Sequence, residues 1–157
     1  MIEQIYTYYT IEMIYYWVNL GVLPFWFILI FFPQSHLSRY LVTSILPILL
    51  LSVAYIFLIY KSFLNSYDFI DNFNLYLGIG DLSNLFADNS FLIMFWIHFL
   101  AINLFVGGWI VKDSQKFLIN KILLAVPLII TYLIGPLGLL VYWIIRIFYA
   151  KRLSLYD

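Results

Sequence analysis

The sequence predicts an all-α polytopic membrane protein: a bundle of four transmembrane helices with a longer loop between the second and third. Three observations carry this. Of the 157 residues, 65% are hydrophobic and only 10% charged, with a mean hydropathy of +0.98; a soluble domain of this length could not cover that much apolar surface. Four stretches reach the roughly 20 apolar residues needed to cross the hydrocarbon core. Polar or charged residues close them: PQSHLSR at 33–39, Lys61, Lys112 with Asp113, and Arg146.

The predicted spans are about 13–32, 41–60, 91–111 and 122–143, within one integral membrane domain, 1–157. The start, MIEQIYTYYTIE, lacks a positive n-region and a small-residue cleavage pattern, so the first hydrophobic stretch is expected to be a retained helix rather than a signal peptide. The first and third loops are short, which predicts antiparallel neighbours. The middle loop, 61–90, holds four aspartates among many apolar residues. That mixture predicts an interfacial helix or folded cap, with Asp81 as the N-cap of a short helix. Four spans would put both termini on one side. The basic residues then divide evenly, with Arg39, Lys112, Lys116 and Lys121 against Lys61, Arg146, Lys151 and Arg152, so the positive-inside rule does not choose an orientation.

Pro24, Pro47, Pro127 and Pro136 fall in the apolar stretches, where each removes a backbone hydrogen bond and bends a helix. In GPLGLL (135–140) two glycines flank the proline. This pattern predicts either a bend packed closely by small residues or a kink that opens a ligand cavity.

Composition also excludes function classes. Without cysteine there is no disulfide, thiolate metal site or cysteine nucleophile. No His, Asp and Glu set has metal-ligand spacing, and no cofactor or metal is expected. No lysine lies in mid-span for a retinal Schiff base, and His36 is in a loop, so one chain cannot supply two intramembrane haem ligands. Charge in mid-membrane is nearly absent, which argues against a pump. No basic tract points to nucleic acid, and GIGDLS lacks a nucleotide-binding fingerprint. The bilayer is the expected partner, with a carotenoid or isoprenoid ligand and a homo-oligomer as further candidates. A bacterial inner membrane is the expected location, with a plastid membrane as the alternative.

The third span, FWIHFLAINLFVGGWIVKDSQ (95–115), carries His98 and Asn103 near its middle. Five positions separate them by about 140° around a helix. Both avoid lipid only if this helix is central, and the expectation is that His98 points inward to a side chain or to a carbonyl near Pro47 or Pro136. A buried histidine can be purely structural or catalytic, and Asn103 suits an interhelical hydrogen bond. Gly107 and Gly108 permit close approach of another backbone.

WIHFLAINLFVGGWIVKD (96–113) resembles the signature of the membrane family that includes the plant plastid protein needed for neoxanthin synthesis, known also from abscisic-acid-deficient mutants. That signature reads approximately W-x-H-[YF]-L-[AV]-F-D-L-F-V-G-x-W-[IE]-x-x-D. The resemblance extends to LPFWFILIFFPQSHLSR, to the Ser-x-x-Pro pattern ending at Pro47 with Tyr55, and to GPLGLLVY, and so covers about 19–146. It implies four helices and a role in carotenoid isomerisation, in which an epoxide opens to an allene. By position, Trp96, His98, Leu104, Phe105, Val106, Gly107, Trp109 and Asp113 match. Ile102 replaces a phenylalanine. Asn103 replaces an aspartate, and an amide is neither a general acid nor a general base. The resemblance implies His98 and Asn103 as catalytic candidates and Trp96, Gly107, Trp109, Gly135 and Pro136 as substrate contacts. Asp113, at the helix end, reads as a loop residue or cap. Two functions follow: an isomerase of epoxy-carotenoids or related isoprenoids, or a non-catalytic membrane protein that binds a polyene or scaffolds a partner.

Overall fold

Proline decides where two of the helices begin. In the computed structural model, which describes residues 10–151, Pro47 sits in the first turn of one helix and Pro136 in the first turn of another. There the missing N–H costs nothing, because the first-turn N–H groups have no intrahelical partner. Pro24 and Pro127 lie inside helices that continue past them. The described elements are α1 (Ile11–Phe31), a π-helical turn (Ser38–Val42), α2 (Leu46–Leu64), a 3-10 helix (Phe69–Tyr76), α3 (Ile79–Ala87), α4 (Asn89–Lys116), α5 (Lys121–Leu133) and α6 (Gly135–Ala150). Three segments are long and apolar enough to cross a membrane: Ile11–Phe31, Ser38–Leu64 and Asn89–Lys116. Half of the apolar window of α4 is buried, against 28% and 22% for the other two, as expected for the central helix.

The contacts divide the chain into two compact units. The first comprises the chain up to Gly21 and Leu49–Leu100. Its core includes Ile14, Val18, Leu58, Ile93, Met94 and Ile97. The Thr10 hydroxyl accepts from Met13 N–H at the start of α1. The middle loop is folded, as its composition predicts. Asp68 accepts from Ile70 N–H and starts the 3-10 helix. Asp88 accepts from the N–H groups of Ser90 and Phe91 and caps α4. Asp81 is not an N-cap: Gly78 holds that position, and Asp81 lies one turn in, where its charge still favours the positive helix end.

The second unit comprises Val22–Ile48 and the chain from Ala101 onward. Here the expected fourth span is replaced by two short helices. α5 and α6 have 13 and 16 residues, about 20 and 24 Å at the α-helical rise, each short of the roughly 30 Å hydrocarbon core. The break is at Ile134, whose backbone is extended (φ −142°, ψ 85°). A helix continuing through Pro136 would drive the proline ring into the carbonyl of Tyr132. The two helices double back on one another. Gly135, at the start of α6, touches Asn103, whereas Arg146, near its end, binds Asp113. α6 therefore runs along α4 in the same direction, and α5 returns beside it. The helices pack so closely at the turn that a Cβ on Gly138 would overlap the hydroxyl and backbone of Thr131. Residues 121–150 thus form a helical hairpin with its tip at the level of Asn103. Apolarity and length do not distinguish such a hairpin from one crossing.

Candidate functional site

The second unit holds most of the residues implicated from sequence. Asn103 is buried, 4% exposed, on the face of α4 that carries Leu104 and Gly107. Its carboxamide lies against Gly135, where an added Cβ would overlap Oδ1 and come within 3.0 Å of Cγ. Gly135 is required by this approach. The Asn103 Nδ2 is enclosed and has no hydrogen-bond partner among the described residues. Pro136, next in sequence, is exposed.

Gly107 packs against an aromatic ring. The ring of Trp26 closes over it, 2.8 Å from where a Cβ would stand, and stacks edge-on against Tyr132 at 5.4 Å. Gly108 faces the Val42 carbonyl at the end of the π-helical turn. Beside it, Trp109 and Lys112 border a groove of about 490 Å³ shared with Thr43, Ile48 and Phe105. The hydroxyl of Ser38, in the π-helical turn, is buried and without a partner among the described residues.

Toward the end of α4 lies the strongest polar cluster of this unit. Asp113 Oδ2 accepts from the Tyr142 hydroxyl and from Arg146 Nε, both at 2.7 Å. Tyr142 and Arg146 are fully enclosed and Asp113 is 3% exposed. The guanidinium also lies 4.9 Å from the Phe117 ring and 5.2 Å from that of Trp143, within cation–π range. Sequence reading missed this cluster, treating Arg146 as the marker of a span end and Asp113 as a loop or cap residue. The available signal was the i, i+4 spacing of Tyr142 and Arg146, which places them on one helix face.

His98 and Trp96 belong to the first unit. The expectation that His98 points inward is overturned: it is exposed, and no hydrogen bond reaches it among the described residues. The physical reason is the 140° offset. Asn103 lies on a buried face of α4, and among the described residues that face does not reach as far round the helix as His98. Trp96 is half-buried, and its Nε1 donates to Asn19 Oδ1 at 3.2 Å while its ring packs on Tyr15. The structure thus brings Asn103 and Gly135 together and leaves His98 on a different face of α4.

The match to known proteins follows the same segments. A family model described as ABA DEFICIENT 4-like matches residues 13–142. The chain belongs to that family. It is 24% identical over 129 residues to Protein ABA DEFICIENT 4, chloroplastic, of Arabidopsis thaliana, a region that makes up 80% of this chain and 57% of the plant protein. The chain therefore spans little more than half the length of that relative. No solved structure matches it. The family match encloses the Asn103–Gly135 contact, the hairpin tip, and two of the three members of the ionic cluster, Asp113 and Tyr142.

Proposed function

We propose that the chain acts on an oxygenated carotenoid or related isoprenoid dissolved in the bilayer, as an isomerase that uses His98. The observation that supports this most is an exposed imidazole in the middle of an apolar span, with no polar partner among the described residues. Lipid tails cannot satisfy it. A bilayer-dissolved molecule bearing an epoxide or hydroxyl can, and it reaches His98 laterally without leaving the membrane. In such an isomerisation a ring C–O bond breaks, the oxygen gains a proton and a nearby carbon loses one. The composition is unchanged, and an imidazole suits either proton transfer. Family membership supports the carotenoid class through the role that the motif resemblance implies.

A second reading, polyene binding or scaffolding without chemistry, is favoured by Asn103. The family motif has a carboxylate where this chain has an amide that cannot exchange a proton. Expression in a host producing epoxy-carotenoids, followed by chromatography of the pigments, separates the two readings. The isomerase reading expects a new isomer that disappears in a well-folded His98→Ala variant. Full activity in that variant would make His98 structural, and an unchanged pigment profile with the intact chain would favour binding or scaffolding.

A further inference from the structure

The groove beside Gly108 changes character along its length. On the α4 side it runs from Leu104 and Phe105, past Trp109, to Lys112, and Ile45 and Ile48 supply apolar surface from the start of α2. Leu104 and Lys112 are eight positions apart, about 12 Å along the helix, close to the hydrocarbon depth of one leaflet, about 15 Å. Ile45 and Phe105 are exposed, so the groove is open at its side. The half-buried Trp109 ring is held edge-on against Tyr142 at 5.8 Å, and Tyr142 is itself fixed by Asp113. At the polar end, Lys112 is exposed and has no ion pair or hydrogen bond among the described residues. No carboxylate lines the groove, and Asp113, next in the chain, is buried and paired with Arg146. The hydroxyls of Thr43 and Ser44 donate to the carbonyls of Arg39 and Leu41, which leaves their oxygens as acceptors beside the ammonium.

We propose that this groove binds one anionic phospholipid, with an acyl chain along Leu104 and Phe105, the ester region at Trp109 and the phosphate at Lys112. The inference does not depend on the isomerase reading, since His98 lines no part of the groove. Three features select this occupant. The order apolar, aromatic, cationic along α4 matches that of chain, ester region and headgroup in one leaflet. An ammonium without a carboxylate partner at a membrane surface favours a negative headgroup over a zwitterionic one. The apolar wall opens sideways, so a lipid covers it from within the bilayer, whereas a soluble anion at Lys112 would leave it uncovered. The lysine stem can lie along the wall while its charged end reaches the headgroup. Phosphatidylglycerol fits the polar end, because its glycerol hydroxyls can donate to the oxygens of Thr43 and Ser44.

The test places the full chain in phosphatidylcholine nanodiscs and adds phosphatidylglycerol or phosphatidylcholine with brominated acyl chains. Bromine quenches tryptophan fluorescence on contact, and the Trp109 share is the difference from Trp109→Phe. Half-maximal quenching of Trp109 should need about fivefold less brominated phosphatidylglycerol than brominated phosphatidylcholine, the worth of one lysine at a charged headgroup. Lys112→Ala should abolish that preference, and Lys112→Arg should keep it. Lys121→Ala removes an exposed charge that does not line the groove and should leave the preference intact. Equal quenching by the two lipids in the intact chain overturns the site, because it describes ordinary lipid contact. An equal loss of preference in Lys121→Ala and Lys112→Ala also overturns it, since the attraction would then be a diffuse field. Relief of the quenching by inorganic phosphate would make Lys112 the site of a soluble anion, and quenching by neither lipid would mean that another occupant fills the groove. Retention of phosphatidylglycerol by the intact chain in native mass spectrometry, reduced about fivefold in Lys112→Ala, gives the same answer without relying on Trp109→Phe.

Discussion

The two units carry opposite charge. By sequence, the first contains one basic residue, Lys61, and six acidic ones, whereas the second contains seven basic residues and two acidic ones. Their acids also behave differently. In the first unit Asp68 and Asp88 are exposed and cap helix starts. In the second, Asp113 is enclosed and paired with Arg146 and Tyr142. The difference teaches how a count of charges by loop can mislead. Treating residues 122–143 as one crossing divides the basic residues evenly between the two sides. Folding that stretch into a hairpin returns Arg146 and Lys151 to the end of α4 that bears Lys112 and Lys116. Gln115 Nε2 donates to the Pro33 carbonyl and brings the Arg39 loop to that same end. Basic residues then collect where α4 ends, and the positive-inside rule makes a choice.

The largest expected effect is therefore on topology. Reporters fused before α1 and after α6 should lie on opposite sides of the membrane, with the one after α6 on the cytoplasmic (or equivalent) side. Reporters on one side would restore the four-crossing arrangement and break the comparison. The next effect is energetic. Asp113→Asn leaves the Arg146 guanidinium buried without its carboxylate and should destabilise the chain by about 3–5 kcal/mol. Asp88→Ala in the first unit removes only an exposed cap, at about 1 kcal/mol. Reversible unfolding in mixed micelles measures both, and equal losses would show that Asp113 is not the anchor its burial suggests. Asp113→Asn combined with Arg146→Met should recover part of the loss, since no lone buried charge remains.

Much of this fold was legible in the sequence, and the parts that were not share one cause. Hydropathy found the three long helices among the four spans it predicted, and the mixed composition of the middle loop announced a folded segment, although the one helix start read there, at Asp81, belongs instead to Gly78. These signals act between residues close in sequence. The hairpin was hidden because an apolar stretch has the same hydropathy whether it crosses or doubles back. The contacts that decide, Asn103 with Gly135 and Asp113 with Arg146, join residues more than thirty positions apart. Periodicity placed His98 and Asn103 on different faces of one helix. It did not say which face the protein buries, so the inward expectation for His98 failed, and Asn103, expected to make an interhelical hydrogen bond, is buried with its Nδ2 unpartnered among the described residues.

Glycines offer a smaller contrast of opposite sign. Gly107→Ala in the second unit pushes a methyl into the Trp26 ring, which has little room to move because Tyr132 backs it. Overpacking of this kind costs about 1–3 kcal/mol. In the first unit, a Cβ on Gly80, inside α3, meets nothing within 4 Å. Gly80→Ala should stabilise by about 0.5–1 kcal/mol through helix propensity. Melting of the two variants side by side checks the signs, and a destabilising Gly80→Ala would mean that α3 is covered in the membrane-bound protein.

The smallest effect is electrostatic and sharpens the description of the acidic unit. The Tyr67 hydroxyl donates to Asn72 Oδ1 at 2.6 Å in the loop that follows α2. Burial pushes its pKa above the ordinary value, and the charges of Asp88 and Asp71 push it further in the same direction. A tyrosine raised in this way favours the folded state while it stays protonated. Its contribution is fully present below the unfolded value near 10 and is lost as pH rises through the folded value. Difference absorbance of the tyrosinate band, with Tyr67→Phe as the reference, should show Tyr67 ionising later than a free tyrosine. Asp71→Asn and Asp88→Asn should each bring that titration part of the way down and leave the burial contribution, with Asp88 the larger of the two. A titration unmoved by either substitution would remove the two carboxylates from the environment of Tyr67. The acidic character of the first unit would then be a matter of composition alone, with no local field acting on its folded loop.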